Sequence, residues 1–318
     1  MKKLYILASI VLFSFSTCFS QAVISTTANY EQNFDAMGSD GIATLPLGWK
    51  VERMIGATVQ RVVGTYSTAL DVTMYKGGAN MSATAKNGTY NFGAGDSIAA
   101  TDRALGGSTT GAVTSTQGVN FYLYLKNTGT ENISDFTVSY DVEKYRTGSN
   151  AAGFSMQMYT SADGATWTSA GTDFYTFFAA DGATAGAAVV PILTESVSKT
   201  LPVSLVAGGE IYLVWNYSVA SGTSSLSAQQ LALDNVVING INTTGINKIE
   251  SKNITFSDGI LNVYNYDVQS ISVISINGLK LITSNNSNSV DLNTLKQGIY
   301  LISILDKENN RKTIKIVK

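Results

Sequence analysis

The feature that most constrains this chain is the alternation of its apolar residues. In Asp135 to Arg146 (DFTVSYDVEKYR), Phe136, Val138, Tyr140 and Val142 fall on one side, and Thr137, Ser139, Asp141, Glu143 and Tyr145 on the other. Successive side chains of a strand point to opposite faces, so such a run has one core face and one outer face. Val119 to Lys126 (VNFYLYLK) alternates in the same way. Tyr30 to Asp35, Gly153 to Thr160, Ile211 to Tyr217 and Leu231 to Ile238 read as further strands. Between them stand turn compositions: Lys76-Gly77-Gly78, Lys86-Asn87-Gly88, Gly93-Ala94-Gly95-Asp96 and Ala162-Asp163-Gly164. No stretch carries a helical stripe. Many short strands separated by turn signals specify an all-β chain built as a β-sandwich.

Composition narrows the chemistry. The chain has 318 residues, room for one large and one small domain. It has no histidine, which excludes Ser-His-Asp and Cys-His catalysis and His-containing zinc sites. The one cysteine is Cys18, near the start. The formal net charge of −2 lacks the basic stripe that nucleic acid requires. With 44% hydrophobic residues the chain is not of the disordered class.

Residues 1–22 read as a signal peptide. Met1-Lys2-Lys3 is a basic start, and Leu4 to Phe15 is an apolar run within the range such leaders use. It is too short to span a bilayer, which takes about 20 apolar residues, so no membrane span is expected in the mature chain. Small residues follow, and cleavage after Ser20 or Ala22 fits them. A lipoprotein would modify Cys18, but Phe15-Ser16-Thr17 lacks the Leu and small-residue pattern that goes with it. The expected location is extracellular or on the outer cell surface. Residues 23–240 form the large sandwich, 241–251 a polar linker, and 252–318 a small Ig-like sandwich rich in Ile, Asn, Ser and Lys. Within the last, Asn277-Gly278 is the strongest hairpin signal.

Two resemblances follow from short motifs. Phe34-Asp35, Leu45-Pro46-x-Gly48-Trp49, Tyr140-x-x-Glu143-x-Tyr145-Arg146, Tyr159-x-Ser161-x-Asp163-Gly164-x-x-Trp167 and Leu233-Asp234-Asn235-Val236 make up the first set. Together they resemble the jelly-roll modules, akin to concanavalin-like and MAM folds, of secreted Bacteroidetes proteins. That resemblance covers about two-thirds of the chain. It implies a two-sheet jelly roll with adjacent first and last strands, and a carbohydrate-binding or adhesive role. The second set is Leu295-x-x-Gly298-x-Tyr300 with Lys312-x-x-Lys315-x-x-Lys318, behind the Asn277-Gly278 hairpin. It is similar to the C-terminal sorting domain of the type IX secretion system, although the Pro-Asn-Pro opening common in that family is absent, which leaves the start of the domain open by several residues. The resemblance implies that Gly298, Tyr300, Lys312, Lys315 and Lys318 belong to a sorting signal read by the secretion machinery. It also implies removal of the tail, with release or attachment to surface lipopolysaccharide.

Candidate sites follow from residue type. Asp141, Glu143 and Tyr145 share the outer face of one strand and are the candidate ligand-binding set. Same-face neighbours on a strand lie about 6.5–7 Å apart, against about 5–5.5 Å between the carboxyls of a retaining glycosidase. The Glu-x-Asp-x-x-Glu array of jelly-roll glycosidases lacks its third carboxylate here, and Lys144 or Arg146 could pair with the acids. Asp35 and Asp234 are a candidate metal pair: they approach if the terminal strands pair, and Ca²⁺ suits oxygen-rich sites. In the similar MAM-type modules a cation can sit there. Trp49, Trp167 and Trp215 read as core, whereas Tyr122, Tyr124, Tyr145 and Tyr212 fall opposite the apolar sets and suit a sugar platform. The expected function is an exported, non-enzymatic, glycan-binding or adhesive module. The alternatives are a secreted glycan hydrolase using the paired carboxylates and a structural surface component without a small-molecule site.

Overall fold

The computed structural model describes residues 21–56, 61–78, 86–111, 114–184, 190–242, 253–307 and 311–318. The leader through Ser20 and most of the linker lie outside them. The chain divides into two units, 1–242 and 243–318. Among the described residues there are strands and three short 3₁₀ turns, and no α-helix.

With strands numbered along the chain, the first sheet of the larger unit contains β1 (Ala22–Ile24), β3 (Trp49–Ile55), β7 (Thr116–Asn127), β9 (Phe154–Ser161), β10 (Thr168–Ser169), β11 (Tyr175–Phe178) and β13 (Glu210–Val219). The second contains β2 (Tyr30–Gln32), β4 (Tyr75–Gly77), β5 (Gly88–Gly93), β6 (Arg103–Ser108), β8 (Asp135–Arg146), β12 (Leu193–Leu201) and β14 (Gln230–Ile241). β2 pairs with β14, so the first and last strands of this sheet are neighbours, as a jelly roll requires. The two sheets share one core. Phe136, Val138, Tyr140 and Val142 of β8 enter it, as do Val119, Phe121, Leu123 and Leu125 of β7. Burial of each such side chain is worth about 1.5–3 kcal/mol.

At the centre Trp49 stacks near Trp215, with ring centroids 5.5 Å apart. Phe34 meets Trp49 edge-on at 4.8 Å, and Tyr140 meets Trp215 edge-on at 5.6 Å. The Trp49 indole N–H donates to the Tyr30 hydroxyl at 2.6 Å. The tryptophans belong to the first sheet, and Tyr30 and Tyr140 to the second.

Three local features differ from the expectations. The strand expected over Tyr30–Asp35 stops at Gln32, because Phe34 takes a left-handed φ of 57° and turns into the core, followed by a 3₁₀ turn over Asp35–Met37. β14 carries a bulge: its register against β8 slips between Asp234 and Val237, with Asn235 at φ 50°. The slip puts Leu231 and Leu233, and then Val236 and Ile238, on the same core face. β12 is a strand that alternation does not reveal, because it is an edge strand with most of its residues exposed.

The smaller unit consists of β15 (Ile254–Ser257), β16 (Ile260–Val263), β17 (Val268–Ser275), β18 (Lys280–Asn285), β19 (Ser289–Asp291), β20 (Ile299–Asp306) and β21 (Arg311–Val317). They form a three-stranded and a four-stranded sheet around Leu261, Ile271, Val273, Leu292, Ile302 and Ile304. Its tight two-residue turn is Asp258-Gly259, both at positive φ, between the paired Ser257 and Ile260. Asn277-Gly278 instead sits in a longer loop, closed by the Gly278 N–H on the Ser275 carbonyl at 2.9 Å.

Replacing Trp215 by Ala should lower the unfolding free energy of the larger unit by about 3–5 kcal/mol. Replacing the exposed Ser198 by Ala should change it by no more than about 0.5 kcal/mol. Urea titration of the two variants compares the costs directly.

Candidate functional site

The outer face of the second sheet brings most of the expected site residues together. Register sets Asp141 opposite Asp234 on β14 and opposite Ser196 on β12. The Asp141 carboxylate accepts from the Ser196 hydroxyl and, at 2.9 Å, from the Asn235 side-chain amide. Glu143 lies one pleat further along, where Tyr145 donates its hydroxyl to it at 2.8 Å. The two are closed off from solvent, with Glu143 at 7% exposure and Tyr145 at 0%. Tyr145 stacks on Phe92 at 4.5 Å, and Phe92 on Tyr90 at 5.0 Å, making an aromatic ladder across β8 and β5. Gly106 of β6 lets Phe92 lie flat there: a Cβ on Gly106 would sit 2.4 Å from the ring. Of the three expected ligand residues, Asp141 alone reaches solvent. Lys144 does not neutralise these acids; its ammonium pairs with Asp181 at 2.7 Å.

Burial drives the electrostatics of this face. Desolvation raises the Glu143 carboxyl to about 7, opposed by the Tyr145 hydrogen bond and reinforced by the charges of Asp102 and Asp141. Desolvation likewise raises Asp234 to about 8, opposed by the Asn235 N–H and reinforced by Glu143, Asp102 and Asp35. Asp102, which sequence reasoning passed over, is also raised by burial and then by Asp35. Tyr145 is pushed far up by burial and by the Glu143 charge.

Asp35 and Asp234 therefore do lie within electrostatic reach of each other. Both Asp35 oxygens are engaged, by the Arg103 backbone N–H at 2.9 Å and the Asn33 amide at 2.7 Å, and one Asp234 oxygen accepts the Asn235 N–H at 2.7 Å. Ca²⁺ takes about six to eight oxygen ligands. Among the described residues no three His, Cys, Asp or Glu side chains are grouped to hold a metal ion.

The aromatic candidates separate by sheet. Trp49 and Trp215 are core, and Trp167 is half-buried on the outer side of the first sheet, donating its indole N–H to the Gly64 carbonyl at 2.8 Å. Tyr122 is fully buried beside it, so neither Tyr122 nor Tyr145 can serve as a platform. Tyr124 and Tyr212 face each other across β7 and β13 at 4.6 Å and remain half-exposed. Tyr66, from the loop after β3, lies 5.7 and 5.1 Å from them. They line a pocket of about 800 Å³ that also takes in Lys50, Asp71 and Glu210. Alternation marks Tyr124 and Tyr212 as outward; the positions of Tyr66, Asp71 and Lys50 around them follow from strand order alone.

In the smaller unit, Tyr300 is buried and its hydroxyl donates to the Lys296 carbonyl at 2.7 Å. Gly298 and Lys318 exchange backbone hydrogen bonds. The Lys318 ammonium reaches the carbonyls of Leu292, Asn293 and Leu295 at 2.7, 2.9 and 2.5 Å. Lys315 is exposed and Lys312 half-exposed on the edge strand β21.

No protein-family model matches the chain, and no curated protein matches it. Solved structures similar to it include two cleaved adhesin domains of Lys-gingipain from Porphyromonas gingivalis. K3 has 14% identity and a TM-score of 0.34, covering 67% of this chain and 100% of that one. K1 has 12% identity and a TM-score of 0.34, covering 68% and 99%. The CBM51-2 and INT domains of Clostridium perfringens ZmpB, in complex with GlcNAc, have 9% identity and a TM-score of 0.22, covering 91% and 83%. At these values the likenesses carry no weight for function.

The raised carboxyls imply a pH dependence of stability. The unfolded chain ionises Glu143 near 4.5 and Asp234 near 3.8, whereas the folded chain does so near 7 and 8. Between those values the folded state binds more protons, so stability falls as pH rises. Unfolding free energies measured from pH 4 to 9 should therefore decline across the window, and the double variant E143Q/D234N should flatten the slope.

Proposed function

We propose that this is an exported recognition protein: a leader and a type IX secretion tail deliver an adhesive or carbohydrate-binding β-sandwich to the outer surface or the medium. The observation that carries a binding role over hydrolysis is the enclosure of Glu143 behind Tyr145 and the Phe92 ladder. A general acid or base has to come within about 2.6–3.2 Å of the proton it moves, directly or through one water, and this carboxyl is buried at 7% exposure and already holds the Tyr145 hydroxyl. The exposed polar residues around Asp141, Ser196 and Asn235, and the tyrosine pocket on the opposite sheet, are surfaces that can bind without chemistry.

The processing steps belong to the same proposal. The leader lies within residues 1–22, and of its two fitting cleavage points the one after Ser20 is favoured, because Ala22 already belongs to β1 and is buried beside β7. Intact mass of the exported chain should place Gln21 at its start; a start at Val23 would contradict this. In the tail, Gly298, Tyr300 and Lys318 maintain the fold of the terminal strand through the bonds described, leaving Lys312 and Lys315 as side chains available to the machinery.

Deleting residues 295–318 should trap the protein in the periplasm, whereas normal export would overturn the sorting role. The exported chain should bind glycans on an array or intact cell surfaces, in calcium and in EDTA alike. Hydrolysis of a bound glycan that E143Q abolishes would favour the hydrolase reading instead.

A further inference from the structure

We propose that the pocket bounded by Tyr66, Tyr124 and Tyr212 on the first sheet is the glycan site, and that it takes a neutral pyranose ring. This rests on the recognition reading above and adds the place and the ligand class.

The rings are held before any ligand arrives. Tyr66 donates its hydroxyl to the Gly48 carbonyl at 3.1 Å, and its backbone N–H to the Gly164 carbonyl at 2.9 Å. The Lys50 ammonium donates to the Tyr66 carbonyl at 3.3 Å and sits 4.6 Å from the ring centre. Tyr212 rests against the hairpin at Gly164, where a Cβ would lie 3.2 Å from its ring. Tyr124 has Tyr212 on one side. On its other side the neighbouring backbone is that of Gly48, which accepts the Tyr124 N–H at 3.0 Å. Gly48 has φ +82°, and a Cβ there would strike the Tyr124 carbonyl at 2.7 Å. The residue must be glycine for backbone reasons, and its carbonyl also receives the Tyr66 hydroxyl. Aromatic rings fixed in this way and still half-exposed lose little freedom on binding.

The polar groups select the ligand class. Asp71 and Glu210 are exposed carboxylates on the pocket wall, and such groups accept from paired hydroxyls. Lys126 lies 3.4 Å from the Glu210 carboxylate. The lining charges are one cation, Lys50, and two carboxylates, Asp71 and Glu210, so no positive excess draws an acidic sugar. A cationic guest is disfavoured as well, because the cation position over Tyr66 is already held by Lys50. What remains is a neutral ring with one apolar C–H face and hydroxyls at its edge. A pocket of about 800 Å³ admits one to a few sugar units.

Saturation-transfer NMR on the leaderless full chain tests this, with methyl glucoside, methyl galactoside, methyl mannoside, methyl N-acetylglucosaminide and methyl glucuronide as probes. At least one neutral glycoside should receive saturation at its ring C–H protons, and the glucuronide should not. Y124A should weaken that binding by about tenfold or more. D71N and E210Q, at exposed positions where folding is safe, should weaken it measurably while leaving the thermal midpoint unchanged. Neutral binding that is unchanged in Y124A, D71N and E210Q would place the glycan elsewhere and overturn this inference while leaving the recognition reading intact. Glucuronide binding equal to that of the neutral sugars would overturn the ligand class. If no probe binds but the array or the cell surface does, the pocket is not a pyranose site. If nothing binds in any format, the recognition reading itself fails.

Discussion

The contact between Trp49 and Trp215 is the interaction on which the larger unit depends. Both come from the first sheet, on strands flanking β7, and each reaches a different part of the second. Trp49 takes Tyr30 by hydrogen bond and Phe34 by edge contact, which ties down β2 and the turn after it; Trp215 takes Tyr140 of the long strand β8. Without histidine, and with its one cysteine at position 18, the chain stabilises this unit through burial and hydrogen bonds. Large aromatics at the crossing point are an efficient way to do so.

With the core made this way, function depends on how the outer faces of the two sheets are covered. On the second sheet the covering is aromatic. The ladder of Tyr90, Phe92 and Tyr145 turns what alternation marks as an outer face into a second, smaller core, and it carries Glu143 inside with it. On the first sheet the covering is the loop after β3. It packs Ala69, Val63 and Tyr66 with the buried Tyr122 and the half-buried Trp167, while Tyr124 and Tyr212 beside Tyr66 are left half-exposed. The same residue types at the same pleat positions therefore have opposite fates, decided by which loop crosses above them.

That division also explains what could be read from the residues alone. Period-two alternation located β7, β8, β13 and β14 and, for the first three, told which side meets the core, because burial of that side is a local demand repeated at every second residue. The adjacency of the first and last strands was likewise expected and is present. The bulge at Asn235 was legible in principle, since Leu231 and Leu233 are out of phase with Val236 and Ile238. Strand β12 was not, because an exposed edge makes no demand on its residues. Exposure of an outward side chain was not legible either. Tyr145 and Tyr212 look alike in sequence, but cover comes from segments far away in the chain: Phe92 for one, and an open margin beside Tyr66 for the other. The pocket's charged wall joins positions 50, 71 and 210, which only strand order unites.

On the outer face of the second sheet Glu143, Asp234 and Tyr145 are buried while Asp141 is not, and on the first sheet Tyr124 and Tyr212 stay half-exposed. Carboxyl- and tyrosine-selective footprinting of the native chain, read residue by residue by mass spectrometry, measures this most directly. Asp71, Asp141 and Glu210 should label together with Tyr66 and Tyr212, while Glu143, Asp234 and Tyr145 stay protected until the protein unfolds. Labelling of Glu143 and Tyr145 at the rate of Asp141 and Tyr212 would contradict the claim and return the paired carboxylates to the list of surfaces a substrate can reach.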